Sequence, residues 1–298
     1  MPRRTPMLLA TLLIVIAVAE SALFVGVYRF FVLTSRGQWL DTIALASNTL
    51  GESRLQHPVN TVLDAISLVA VGVAACVVGF IALIRRRIAL AVTSVVLIAG
   101  ANATSELLKR MLDRPDLGID EARAAAGNSF PSGHTTIAAS VAVAFVLVLP
   151  PTMRGAGAVI GSLYAAVVGI ATLSAGWHRP SDAIGAFLIV GVWAALAGVM
   201  LRTLRHRGER VIEAESHKTA GRILWIMGVL TLAVAIFGLW HTNGVVGLSV
   251  DSLSRRTRAI AYGGGAAGIV AASTLMMALI LSTVHRIVPR RPVQESRS

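Results

Sequence analysis

Residues 176–201 read GWHRPSDAIGAFLIVGVWAALAGVML, a short polar motif followed directly by an apolar run. The run from Asp182 to Leu201 matches the roughly 20 residues that a helix needs to cross a bilayer. His178 stands four residues before Asp182, just ahead of that helix. Histidine suits phosphoryl transfer near neutral pH, and a carboxylate can hold one ring nitrogen while the other attacks. The stretch therefore predicts a membrane helix with reactive groups at its end.

The composition of the whole chain is that of a multi-pass membrane protein. Of its 298 residues, 55% are apolar and 14% are charged, whereas about a quarter are charged in a soluble domain. We predict an all-α, polytopic membrane helix bundle with a six-helix core and two C-terminal transmembrane helices. Eight segments are long and apolar enough to span: residues 8–33, 60–84, 88–108, 135–152, 155–175, 182–201, 220–240 and 259–285. The first resembles a signal sequence, but its apolar run continues past Glu20 to Leu33, which favours a retained helix.

The distribution of basic residues predicts the orientation of the chain. With a cytoplasmic N-terminus and alternating spans, sixteen of the 27 Lys and Arg residues fall on the cytoplasmic side. The cluster at residues 255–258 falls on the other side and departs from the rule. We attribute the net charge of +12 to topology and to contact with anionic lipids, and expect no nucleic-acid partner. The single cysteine, Cys76, lies in an apolar run, so no disulfide framework or thiol zinc site is predicted.

Three polar clusters lie at the non-cytoplasmic ends of the third to sixth predicted helices. They are residues 109–116 (KRMLDRPD), 131–134 (PSGH) and 176–182 (GWHRPSD). Antiparallel helices bring these ends to one membrane face, where the clusters can form one pocket. Within the first cluster, Lys109 and Arg114 can neutralise phosphate oxygens, and arginine can bind two oxygens at once.

The second cluster begins a predicted helix. Ser132 and Gly133 open it, so its unpaired backbone N–H groups point at a bound anion. Gly133 lets a phosphate approach the backbone closely because it has no side chain. The sequence shows no cluster of acidic residues that would hold a metal, and we expect no cofactor.

In order and position, the clusters resemble the signature motifs of the type 2 phosphatidic acid phosphatase (PAP2) superfamily, in its bacterial integral-membrane lipid phosphatase branch. The resemblance covers residues 37–201. It implies that His178 is a nucleophile that forms a phosphohistidine and that Asp182 orients its ring. It further implies that His134 protonates the leaving oxygen and then activates water, without a metal.

The same resemblance suggests how the chain is divided. Residues 1–207 are predicted to form the six-helix PAP2-like domain, with all motifs within residues 109–182. A polar linker at 208–219 follows, and residues 220–298 form two additional transmembrane helices and a basic tail.

Two of the three motifs depart from the superfamily pattern. The first motif usually reads Lys, six residues, Arg-Pro. Here Asp116 occupies the position of that arginine, unless Arg114-Pro115 are the required pair after a two-residue deletion. In the third motif a Ser-Arg pair is replaced by Ala171-Thr172. We expect a phosphate pocket that lacks a cation, unless Arg179 or Arg123 replaces it.

The sequence leaves two classes of function open. The first is a plasma-membrane lipid phosphate phosphatase with its site facing the periplasm or exterior. Its substrates would be polyprenyl (di)phosphate, phosphatidic acid or phosphatidylglycerol phosphate, and a phosphotransferase variant would replace water with a hydroxyl acceptor. The second is a non-hydrolytic lipid-binding or transport protein that kept the fold, which the missing arginines and two extra helices favour. Retention of His134, His178 and Asp182 favours the enzyme, since a binding protein needs no nucleophile.

Overall fold

The computed structural model describes residues 4–47, 76, 87–119, 127–204, 217–248 and 252–287. Within these ranges there are eight α-helices and no strand: α1 (Arg4–Val27), α2 (Ser35–Ala46), α3 (Ile88–Met111), α4 (Gly133–Val148), α5 (Arg154–Ser174), α6 (Pro180–Thr203), α7 (Lys218–Asn243) and α8 (Arg255–Ile287). A π-helical turn, Tyr28–Val32, extends α1. The predicted span at 60–84, Arg123 and most of the linker at 208–219 lie outside the described residues.

Among the described residues, six helical segments are long and apolar enough to cross a membrane, which confirms the predicted all-α membrane bundle. They are Leu8–Val32, Ile88–Met111, Pro151–Ser174, Pro180–Thr203, Lys218–Asn243 and Arg255–Val284. The span predicted at 135–152 is shorter than expected. Its helix α4 has 16 residues, or about 24 Å, less than the hydrocarbon core of roughly 30 Å. The helix ends there because Leu149 is extended ahead of Pro150, as the residue before a proline prefers.

One hydrophobic core joins α4, α5, α6 and α8. Val143, Val168, Phe187, Ile269 and Met277, drawn from these four helices, are each at most 1% exposed. Of the span in α8, 67% is buried, against 22% for α7. The sequence suggested a pair of helices added to a six-helix core. In the structure α8 packs within that core, whereas α7 exposes most of its surface.

The connection between α5 and α6 carries the third polar cluster. After α5 the chain turns at Gly176, whose φ of 72° is a left-handed conformation that glycine adopts readily. Pro180 opens α6, where its fixed φ suits the first position of a helix. This short connection holds His178 at the end of the bundle.

The short helix α2 lies across the same end of the bundle. It begins after Thr34, whose Oγ1 accepts a hydrogen bond of 3.0 Å from the backbone N–H of Gly37. Trp39 and Leu40 of this helix are 7% and 5% exposed and pack in a small cluster that includes Leu253. They are buried because the chain around the start of α8 covers them.

Candidate active site

The carboxylate of Asp182, in the first turn of α6, lies at the centre of the site and has no exposed surface. Its Oδ1 accepts a hydrogen bond of 3.0 Å from Nη2 of Arg114. Its Oδ2 accepts from the Ser129 hydroxyl at 2.7 Å and from the backbone N–H of Arg179 at 3.0 Å. A buried charge is tolerated only when it is paired and hydrogen-bonded in this way. The donors therefore fix the carboxylate in place.

His178 is held on two sides. Its Nδ1 lies 3.3 Å from Oδ2 of Asp182. The backbone N–H groups of Trp177 and His178 both donate to the carbonyl of Thr172, at 2.9 and 3.2 Å. Because Nδ1 faces the carboxylate, Nε2 is the ring nitrogen left for bond formation.

His134, the second residue of α4, lies beside His178. The two ring centroids are 6.4 Å apart, and the His134 ring also packs at 5.4 Å from that of Trp177. The starts of α4 and α6 are joined directly, since the backbone N–H of Ser132 donates to the carbonyl of Asp182 at 2.9 Å. The two imidazoles are thus close enough to contact one phosphate group.

Two cations border the histidines. The Arg114 side chain is 6% exposed, and its Nε and Nη1 are buried without a hydrogen-bond partner among the described residues. Nζ of Lys109 lies 3.6 Å from the position that a Cβ would take on Gly133, so this charge stands at the start of α4. Buried N–H groups without acceptors are unfavourable. The arrangement is therefore suited to bind an anion.

Comparison with known proteins agrees with this geometry. Residues 90–206 match the family model of the PAP2 superfamily. No curated protein and no solved structure matches the chain. The PAP2 domain contains all three polar clusters and indicates a phosphatase that acts on phosphate esters.

Other residues predicted for the PAP2 site have different surroundings. The Ser132 hydroxyl is buried and accepts from the backbone N–H of Thr135 at 3.4 Å and from its hydroxyl at 3.0 Å, so it caps α4. The Arg179 side chain reaches α2, where its Nε donates to Oγ1 of Thr42 at 3.3 Å. A phosphate contact by either residue stays a prediction, as does the role of Arg123, which lies outside the described residues.

Thr172, where the superfamily pattern has arginine, supports the loop that carries His178. Its side chain has no exposed surface, and its hydroxyl donates to the carbonyl of Gly169 at 2.8 Å. Its backbone carbonyl accepts hydrogen bonds from the N–H groups of Trp177 and His178. The position is closely packed, so this chain uses it to shape the connection between α5 and α6.

Three residues at the edge of the PAP2 site were not predicted from the sequence. Ser129 and Asn128 lie within three residues of the second cluster, and this proximity in sequence could have indicated them. The Asn128 amide donates to the carbonyls of Leu112 and Phe130 at 2.9 and 2.8 Å, which ties the first two clusters together. Asp41 accepts hydrogen bonds from Ser181, 140 residues away, and no sequence signal indicated that contact.

Proposed function

We propose that this protein is an integral-membrane lipid phosphatase that hydrolyses phosphomonoester or diphosphate lipids through a phosphohistidine on His178. The observation that carries the proposal is the buried Arg114 guanidinium. It holds Asp182 with one nitrogen, while its Nε and Nη1, next to His178, have no acceptor among the described residues. A phosphate group offers the anionic oxygens that such N–H groups require.

The position of the site favours a lipid substrate. The polar clusters lie at the ends of membrane-spanning helices. Trp177, 38% exposed, and Met111, 67% exposed, lie on chain segments that carry the site. Tryptophan near the end of a membrane-spanning helix is typical of the membrane–water interface. Polyprenyl (di)phosphate, phosphatidic acid and phosphatidylglycerol phosphate fit this arrangement, in the plasma membrane with the site facing the periplasm or exterior.

The proposed reaction has two steps. First, Nε2 of His178 forms a bond to phosphorus while the bond from phosphorus to the lipid oxygen breaks. His134 gives its proton to that oxygen, and Asp182 stabilises the positive charge on the phosphorylated ring. Then His134 takes a proton from water, the water oxygen attacks phosphorus, and the P–N bond breaks to release inorganic phosphate.

No metal takes part in the proposed steps. Lys109, Arg114 and the backbone N–H groups at the start of α4 neutralise the phosphoryl oxygens. Within the described ranges, no three His, Cys, Asp or Glu residues are grouped so as to hold a metal ion. In this proposal all the reacting residues lie within residues 1–207. Helices α7 and α8 take no part in the reaction and pack against that part of the chain.

The test is phosphate release from a panel of lipid phosphates in detergent with EDTA present. We expect activity in the wild-type protein and its loss in His178→Ala, because no other group forms the covalent intermediate. A matched control is His241→Ala, which removes a histidine of α7 that packs against Phe237, with ring centroids 6.2 Å apart. Undiminished turnover in His178→Ala would falsify the nucleophile assignment. Binding of lipid phosphate without release by the wild type would favour a non-hydrolytic protein.

A further inference from the structure

Helix α2, which precedes the residues that match the PAP2 family model, contacts two of the three polar clusters. Nε2 of Gln38 donates to the carbonyl of Pro115 in the first cluster at 2.9 Å. Oγ1 of Thr42 accepts from Nε of Arg179 in the third cluster at 3.3 Å. Both contacts lie on the buried surface of α2. The helix therefore links the segments that carry Arg114 and His178.

Asp41 lies between Gln38 and Thr42 on α2 and makes a third contact, with Ser181 of α6. It is 2% exposed, and its Oδ1 accepts a hydrogen bond of 3.1 Å from the backbone N–H of Ser181, while its Oδ2 accepts from the Ser181 hydroxyl. The first N–H groups of a helix have no partner within it, and a negative charge near them is favourable. Asp41 thus caps the first turn of α6 from another helix.

The charges around Asp41 make this an unusual place for a carboxylate. Burial, together with the negative charge of Asp182, raises the pKa of Asp41 to about 6, although Arg114, Ser181 and Arg179 act in the opposite direction. A neutral polar side chain would join α2 to α6 without this electrostatic penalty. Buried charges of this kind are frequent at functional sites.

We propose that Asp41 is a positioning residue for the phosphatase reaction, which fixes the first turn of α6 through Ser181 and so sets the carboxylate that orients His178. This inference rests on the proposed function. Ser181 and Asp182 are consecutive, so a displaced Ser181 moves the carboxylate that holds Nδ1 of His178. A misplacement of about 1 Å in an active site can lower a rate roughly a hundredfold.

A double-mutant cycle on the full-length protein tests this coupling. We would measure kcat and KM for a short-chain phosphatidic acid in detergent with Asp41→Ala, Ser181→Ala and the double variant. Each single change should lower kcat by about ten- to a hundredfold, with KM altered by less than about threefold, because the phosphate-binding cations stay in place. The double variant should be no slower than the slower single variant, since both changes remove the same contact.

Ser47→Ala is the matched control on α2. The Ser47 hydroxyl is buried like Asp41 but donates at 2.7 Å to the carbonyl of Ile43 within the same segment. It does not reach α6, so kcat should stay within about twofold of the wild type. Rate losses that multiply in the double variant, or a folded Asp41→Ala protein with unchanged kcat, overturn the proposal.

Asp41→Asn keeps an acceptor for the Ser181 N–H and serves where the alanine variant fails to fold. It removes one negative charge that faces Asp182, Arg114 and Arg179. Without that negative charge, the neighbouring ionisable groups of the site bind protons less tightly. The acidic limb of the pH–kcat profile should therefore move to lower pH, by about half a unit or more. An unmoved limb with wild-type kcat rejects the positioning role. A wild-type protein that releases no phosphate from any lipid rejects the proposed function itself.

Discussion

The Arg114 guanidinium donates a hydrogen bond of 3.0 Å to the Asp182 carboxylate, and the two side chains are 6% and 0% exposed. The contact joins the first polar cluster to the third across 68 residues of sequence. It gives the buried carboxylate a counter-ion, while Nε and Nη1 of the arginine keep no acceptor among the described residues. One arginine can thus hold the carboxylate that contacts His178 and, in the proposed reaction, also bind the substrate phosphate.

Arg114→Ala should lower kcat/KM by about a hundred- to a thousandfold, because it removes buried donors to the developing negative charge and the partner of Asp182. Arg114→Lys should recover part of the activity, since it keeps the charge but not the planar set of donors. Inhibition by orthovanadate should weaken in the same order. Arg110→Ala is the matched control, because that arginine is 74% exposed and pairs with Glu106 at the surface. Similar losses in both alanine variants would contradict the assignment.

Gly191→Ala should destabilise the protein by roughly 1–3 kcal/mol, as overpacking of a core does. A Cβ on Gly191 would overlap the carboxyl group of Glu20, which packs from α1 against α6 and is 5% exposed. Thermal unfolding in detergent measures the loss of stability. Adding Glu20→Ala should restore most of the lost stability, because it removes the carboxyl group that the new Cβ would overlap. Gly26→Ala is the control on α1, since the new Cβ would meet no side chain and no other helix within 4 Å among the described residues. Equal effects of the two glycine changes would exclude the predicted overlap.

The stability of the protein should depend on pH through Asp41. Burial, with the charge of Asp182, raises the pKa of Asp41 from 3.8 to about 6. The folded protein then binds this proton more tightly than the unfolded chain. The stability contribution is therefore complete below about pH 4 and is lost as pH rises to about 6.

Asp41→Asn should remove this dependence, since asparagine does not ionise. Its Tm relative to the wild type should be higher at about pH 7.5 than at about pH 4.5. Tryptophan fluorescence in detergent at both pH values measures the difference, and the same offset at both would refute the expectation. Stabilisation at neutral pH with a lower kcat would be the usual trade between stability and activity.

The site should face the periplasm or cell exterior, as the distribution of basic residues predicts. In a Cys76→Ser background, Asp116→Cys should react with an impermeant thiol reagent in intact cells, because Asp116 is exposed beside the first cluster. Met153→Cys should react only after lysis, since Met153 is 55% exposed and lies between α4 and α5 at the opposite end. The reverse labelling pattern would overturn the topology and any substrate in the outer leaflet.

Much of this arrangement could be predicted from local patterns. Apolar runs located the helices because a spanning segment needs about 20 residues that prefer lipid to water. The contact between His178 and Asp182 could also be predicted locally, since His178 lies just before α6 and Asp182 in its first turn. The match to the PAP2 superfamily over residues 90–206 confirms the family to which the clusters were assigned.

The sequence alone determined which segments are helical and membrane-spanning, and which polar clusters lie at their ends. Only the tertiary structure decided the neighbours of those segments: Asp41 against Ser181, Arg114 against Asp182, and α8 inside the core shared with α4, α5 and α6. The physical reason is that lipid tails and helix interiors are about equally apolar. Hydropathy therefore separates membrane from water but does not distinguish a face that meets lipid from one that meets another helix.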